Sequence, residues 1–96
     1  MIAPLPSDDS VWSHAVGEAI VLDMASPYVI LGTLSRVDHL FVRLTDADVH
    51  DLRDSKSTRE LYVLEARRHG VRINRDVVAV RMAEIVSFSL LSDVTE

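Results

Sequence analysis

Glycine 32 constrains the fold of this chain more than any other residue. It lies inside Tyr28 to Val37, a long stretch rich in β-branched and aromatic residues that predicts a strand. Glycine weakens a strand unless a sharp bend or a close backbone approach requires it, as at the corner of a barrel. The preceding stretch, Glu18 to Met24, alternates like a strand, and Pro27 favours a turn between the two. The run therefore predicts the bent, paired strands of a small β-barrel.

Three further strands follow along the chain. Leu40 to Thr45 alternates, with Leu40, Val42 and Leu44 on one face, and 46–56 is polar and typical of a turn. Val77 to Met82 and Ile85 to Leu91 have the same strand character. The sequence thus predicts a mainly β fold, a five-stranded bent antiparallel SH3-type barrel.

Residues 57–69 predict a helical insert before strand four. Ser57 to Glu60 matches a capping box, and His69-Gly70 is a good helix stop. A strand is the competing interpretation, because Leu61 to Leu64 has β-propensity.

A chain of 96 residues buries enough surface to form one hydrophobic core but not two, so we expect a single domain at 10–92. We predict a flexible N-terminal tail at 1–9, a short helix or turn at 10–15 anchored by Trp12, and a tail at 93–96. There is no cysteine, which excludes disulfides and Cys-based zinc sites. No apolar stretch approaches ~18 residues and no signal peptide is indicated, so we expect a soluble cytoplasmic protein with no membrane partner.

The net charge of −5 argues against nucleic acid, but its distribution permits a phosphate-binding face or head-to-tail contact between protomers. Residues 53–81 hold eight Lys or Arg against four acids, and the rest of the chain holds two against eleven. A local basic patch can act despite a negative total, because salt screens surface fields beyond about 8 Å. The candidate nucleic-acid residues of this segment are Arg67, Arg68, Arg72 and Arg75, with Lys56 and Arg59 beside them. The alternative is an ordinary solvated helix face.

The order of elements resembles that of the Sm-like (LSm) family. Val16-Gly17-Glu18 resembles the start of strand one in that family, and Gly32-x-Leu34-x-x-x-Asp38 resembles its first motif. Asp76 to Val80 and Glu84 to Ser87 resemble its last two strands. The chain is thus similar to a divergent, bacterial-type member of the family, and the resemblance implies the five-stranded barrel already predicted.

The resemblance also implies a nucleotide pocket from which most residues have been lost. Asp38 matches, but Leu40 to Val42 replace the Asn that reads a base, and the Arg-Gly of the second motif aligns with Ile73-Asn74. Hydrophobic residues cannot supply hydrogen bonds to base edges, so uridine recognition of the family kind is not expected. Phe41 is able to stack on a base, although a lone aromatic on a strand is more often part of the core.

The last strand predicts self-association. Ile85 to Leu91 contains no charge and no proline, and such a strand at an open edge invites pairing. The resemblance implies that strand five pairs with strand four of the next subunit to close a ring. The candidate interface residues are Val78, Val80, Val86, Phe88 and Leu90. The alternative is a barrel closed on itself.

Catalytic signatures are weak. Asp46, Asp48 and His50 share a face if the third strand continues through Val49, and this is a minor metal-site hypothesis beside the alternative of a solvated strand end. No phosphate loop or nucleophile motif occurs, and no cofactor or small-molecule substrate is indicated.

We therefore expect a non-enzymatic scaffold or interaction module that forms homo-oligomers through edge strands. RNA binding through the basic insert is the alternative, and a metal-dependent enzyme ranks third.

Overall fold

A computed structural model describes residues 10–96, so the predicted tail at 1–9 lies outside the described residues. Five antiparallel strands form one sheet, as predicted, and their order in the sheet is β4-β3-β2-β1-β5. The strands and the α-helix are β1 (Ala19–Met24), β2 (Tyr28–Val37), β3 (Phe41–Asp51), α1 (Arg59–His69), β4 (Arg75–Arg81) and β5 (Ile85–Leu90). Short 3-10 helices span Ser13–Ala15, Leu52–Asp54, Met82–Glu84 and Leu91–Asp93.

The sheet bends where Gly32 of β2 crosses β3. A Cβ at Gly32 would lie 3.1 Å from the Cα and the Cβ of Ala47 and from the carbonyl oxygen of Thr45. Opposite it, β3 carries one extra residue, since Leu31 pairs with Asp48 and Thr33 with Thr45. This bulge includes Asp46, whose φ of 47° is rare for a residue other than glycine. The predicted bend at glycine therefore results from two close backbones and a bulge in the partner strand.

The bent sheet has a core on each side. The inner core is lined by Ile20, Leu22, Ile30, Leu34, Val42, Leu44 and Val80. The outer core lies between β1, β2 and helix α1 and contains Val21, Val29, Leu31, Val63, Ala66 and Leu91. Strands β1 and β2 thus bury both faces, which explains why their sequences are almost continuously apolar.

Helix α1 confirms the insert predicted before strand four. Its N-cap is Thr58, one residue after the predicted Ser57, and the Thr58 hydroxyl accepts a hydrogen bond from the N–H of Leu61 at 3.2 Å. The helix ends at Gly70, which has a φ of 94° and donates its N–H to the carbonyl of Ala66 at 2.8 Å.

Strand β3 is longer than predicted. It continues to Asp51 through residues predicted to form a turn, because Val49 and Asp51 pair with Ile30 and Tyr28 of β2. The polar residues of this segment do not break the strand, since the bulge at Asp46 changes which face each side chain occupies.

Both ends of the described chain pack on the domain. The indole of Trp12 stacks on the ring of Phe88, with centroids 4.0 Å apart, so Trp12 anchors the N-terminal turn as predicted. Residues 93–96, predicted as a tail, instead contact helix α1: Arg67 donates to the carbonyl of Val94 at 2.7 Å, and Arg68 pairs with Glu96.

Candidate functional site

The turn between β2 and β3 is shaped by Asp38. Its Oδ1 accepts hydrogen bonds from the backbone N–H groups of Leu40 and Phe41, each at 2.8 Å. These N–H groups, that of Phe41 first, hold the pKa of the exposed Asp38 carboxyl below its usual value. Asp38 therefore has a structural role in the turn, whatever it contributes to a ligand site.

Arg81 and Met82 lie opposite this turn. Arg81 is the cross-strand partner of Phe41, and Met82 donates its N–H to the carbonyl of Leu40 at 2.8 Å. Ile73-Asn74, which the resemblance placed here, does not lie opposite this turn, because Asn74 bonds to Asp48 and Val49. Arg81 lies at the end of the fourth strand, just before the turn into the fifth, and this position in the sequence indicates that Arg81 is the residue opposite the Asp38 turn.

Phe41 lies on the outer face of the sheet and is 42% exposed. The interpretation of Phe41 as a core residue is therefore wrong, because the core side of β3 is occupied by Val42 and Leu44. An exposed aromatic ring beside an arginine is an arrangement that stacks on bases and binds phosphate.

Asn74 belongs to a different part of the molecule, near the far end of β3. Its Nδ2 donates to Asp48 Oδ1 at 3.0 Å and to the carbonyl of Val49 at 3.1 Å, and its Oδ1 accepts from the N–H of Val49 at 3.0 Å. Its own N–H donates to the carbonyl of Ala47 at 2.8 Å. The side chain of Asn74 thus attaches the loop before β4 to strand β3.

Asp48 is the one buried charged residue among those described, with 2% of its surface exposed. It accepts hydrogen bonds from the Tyr62 hydroxyl and from Asn74. Burial, and secondarily the bond to Asp48, raise the pKa of Tyr62. A cleft of about 170 Å³ opens beside this pair and is lined by Glu65, His69, Val71 and Arg72.

The structure separates Asp46 from the other two residues of the metal-site hypothesis. The strand does continue through Val49, and Asp48 and His50 share a face, but the bulge at Asp46 removes that residue from the alternation. Asp48 is bonded to Tyr62 and Asn74, while His50 stacks on Tyr62 at 3.9 Å and shares a hydrogen bond of 3.2 Å with Ser55. Within residues 10–96 no group of three or more His, Asp or Glu is placed to hold a metal ion.

The basic insert does not present one continuous patch. Arg67 and Arg68 contact residues 94–96, as described above, and Arg59 donates to the carbonyl of Ser26 at 3.2 Å. Arg72 lines the cleft beside Asp48, and Arg75 donates to the carbonyl of Asn74 at 3.1 Å. The basic residues therefore divide among three places: the C-terminal segment, the turn between β1 and β2, and the region where the loop before β4 meets that strand.

The outermost strands of the sheet are β4 and β5, the two predicted to take part in self-association. The side chains of Val78, Val80, Phe88 and Leu90 pack on the inner core. Val86 lies at a bulge in β5 and is 71% exposed, and Val77 on β4 is 46% exposed.

No model of a known protein family matches this sequence, and no curated protein matches it. A solved structure does: the Sm protein of Pyrococcus abyssii in complex with a uridine heptamer superposes with a TM-score of 0.58 at 17% sequence identity. The match covers 83% of this chain and 92% of that chain. The fold is therefore the Sm-like fold. Across residues 10–96, helix α1 and its shorter neighbours lack the length and apolar character needed to span a bilayer.

Proposed function

We propose that this chain is a non-catalytic Sm-like module that assembles with copies of itself through strands β4 and β5. The observation that carries the proposal is the strand order, in which these two strands form the opposite edges of one sheet. Within the described residues no strand pairs with the outer side of either edge.

Backbone pairing is the expected form of contact. In an antiparallel ladder every second residue of an edge strand directs its N–H and C=O away from the sheet, and these groups form a template for another strand. Because Val78, Val80, Phe88 and Leu90 point inward, their backbones rather than their side chains would meet the neighbour. The side-chain contacts would come from Val86 and Val77.

A charged residue at the edge tests this proposal. Lysine on an edge strand opposes pairing, so Val86→Lys and Val77→Lys should each lower the oligomer mass measured by light scattering. Leu61→Lys is the matched control, since Leu61 is 47% exposed and belongs to helix α1 rather than to either edge strand. Equal masses for the Val86 variant, the Val77 variant and the control would contradict assembly through these strands.

RNA binding is a second candidate function, favoured by the contact between the Asp38 turn and Arg81. Phe41 offers an exposed ring for stacking, and Arg81 is placed beside it to meet a phosphate. The similar protein from Pyrococcus abyssii was solved with a uridine heptamer, which recommends oligouridine as the probe.

Fluorescence anisotropy with labelled oligouridine tests this second candidate. We expect Phe41→Leu to weaken binding by about 1–3 kcal/mol through lost stacking, and Arg81→Ala to make binding less sensitive to salt. Leu61→Ala is the control: it truncates an exposed side chain on helix α1, outside this turn, and should leave the affinity for oligouridine unchanged. Binding that is unaffected by both substitutions would contradict a site at this turn.

A further inference from the structure

Two arginines face each other on the outer side of the sheet, close to the Asp38 turn. Arg36 of β2 is the cross-strand partner of Arg43 of β3, and both are exposed. Side chains in such a pair stand on the same face, with Cβ atoms about 4.5–5.5 Å apart. The inner face at this level is apolar, since Val42 and Leu44 alternate with Arg43 and pack in the core.

A third arginine lies diagonally from this pair. Arg81 of β4 pairs with Phe41, two residues along β3 from Arg43, and is exposed. The outer face therefore carries three exposed arginines on neighbouring strands, together with one exposed aromatic residue, Phe41.

None of the three arginines forms an ion pair with a carboxylate within residues 10–96. Asp38, the acid of the adjoining turn, uses Oδ1 to accept the N–H groups of Leu40 and Phe41. The region consequently has an excess of positive charge on a protein whose net charge is −5.

Like charges directly opposite each other on a sheet are destabilising. The Arg36–Arg43 pair thus lowers the stability of the protein alone, and a bound anion would relieve this repulsion. Guanidinium groups bind phosphate through two parallel hydrogen bonds, and neighbouring guanidinium groups suit the repeated phosphates of a polyanion.

We propose that Arg36 and Arg43 form a phosphate-binding site for the backbone of single-stranded RNA, and that a base of the same strand stacks on Phe41. This inference rests on the RNA-binding function proposed as the second candidate, and it names the surface along which the strand runs. The site lies on β2 and β3, outside the basic segment 53–81 that the sequence indicates as the RNA-binding candidate.

Arg36→Thr and Arg43→Thr test the site, because threonine suits an exposed strand position. Each substitution should raise the thermal midpoint at low salt without RNA, since the repulsion is removed. Each should also weaken oligouridine binding and reduce the slope of log K against log salt by about 0.7 per lost phosphate contact. Arg75→Thr makes the same change of charge at the start of β4, at the opposite end of that strand from Arg81, and should leave the slope unchanged.

Two results would overturn the site while leaving RNA binding intact. One is an unchanged salt slope in both the Arg36 and Arg43 variants. The other is a loss of affinity and of salt slope in the Arg75 variant that equals the loss in those two variants. The arginine Nε–Hε signals in NMR spectra, followed during addition of inorganic pyrophosphate, give a measurement without RNA. If pyrophosphate shifts the signals of Arg36 and Arg43 but oligouridine does not bind, the phosphate site stands and its assignment to RNA is overturned. Binding of oligoglutamate in place of oligouridine would also overturn that assignment.

Discussion

Tyr62 of helix α1 donates its hydroxyl hydrogen to the buried carboxylate of Asp48 on strand β3. Asn74 donates to the other oxygen of the same carboxylate, so one side chain holds together the sheet, the helix and the loop that follows the helix. A buried carboxylate is tolerated only when its oxygens are hydrogen-bonded, and here both are.

Tyr62→Phe should therefore destabilise the protein. Removing the hydroxyl leaves Asp48 with an unsatisfied buried oxygen, which costs about 1–3 kcal/mol in the free energy of unfolding. Urea denaturation measures this change. Tyr28→Phe is the matched control, because no hydrogen bond of the Tyr28 hydroxyl to residues 10–96 is present, and we expect a change of less than about 0.5 kcal/mol. Equal effects in the two variants would contradict the role of Asp48.

The sequence predicted the apolar strands well, but it predicted neither the secondary structure nor the contacts of the polar residues in the second half of β3. β2 and its bend were predicted correctly because Gly32 breaks an otherwise apolar strand, a local signal. The end of β3 was predicted incorrectly because Asp46, Asp48 and His50 are typical of a turn. The partner of Asp48 is Tyr62, fourteen residues further along the chain, and the sequence gives no local sign of that contact.

The candidate site shows the same limit. The basic segment was evident from composition, but composition does not reveal that residues 94–96 bind Arg67 and Arg68. The Arg36–Arg43 pair depends on the register of β2 against β3. That register contains two irregularities, which alternation along a single strand cannot show.

The positive φ of Asp46 gives a second prediction. Valine strongly disfavours this conformation, whereas glycine adopts it at no steric cost. Asp46→Val should lower the free energy of unfolding by about 1–2 kcal/mol, and Asp46→Gly should leave it unchanged or raise it. Because Asp46 is exposed, packing contributes little to either value. Equal stabilities of the two variants by urea denaturation would show that the bulge does not impose this backbone conformation.

Gly32→Ala should destabilise the sheet at its bend. The added methyl group would lie 3.1 Å from backbone atoms of Ala47 and Thr45, which cannot move without disturbing the pairing of β2 with β3. We expect a loss of about 1–3 kcal/mol, as for other overpacked sites. A thermal midpoint equal to that of the unmodified chain would contradict the close approach of the two strands.

Asp51 should titrate well below an ordinary aspartate. Its hydrogen bonds from Arg53, at 2.7 Å from Nη2 and 2.9 Å from Nε, lower the pKa of Asp51 to about 2. Because the folded pKa lies below the unfolded value of about 3.9, the stabilisation is present above that pH and is lost as the pH falls towards 2. NMR titration of the carboxyl carbon should show a midpoint near 2 that rises in Arg53→Gln. An unchanged midpoint in that variant would exclude Arg53 as the cause.

The central claim is that the two open edges of the sheet join copies of this chain. Native mass spectrometry of the unmodified protein at micromolar concentration tests it most directly. The account predicts a discrete species whose mass is two or more whole multiples of the 10.7 kDa chain. A single species at 10.7 kDa throughout that range of concentration would contradict it.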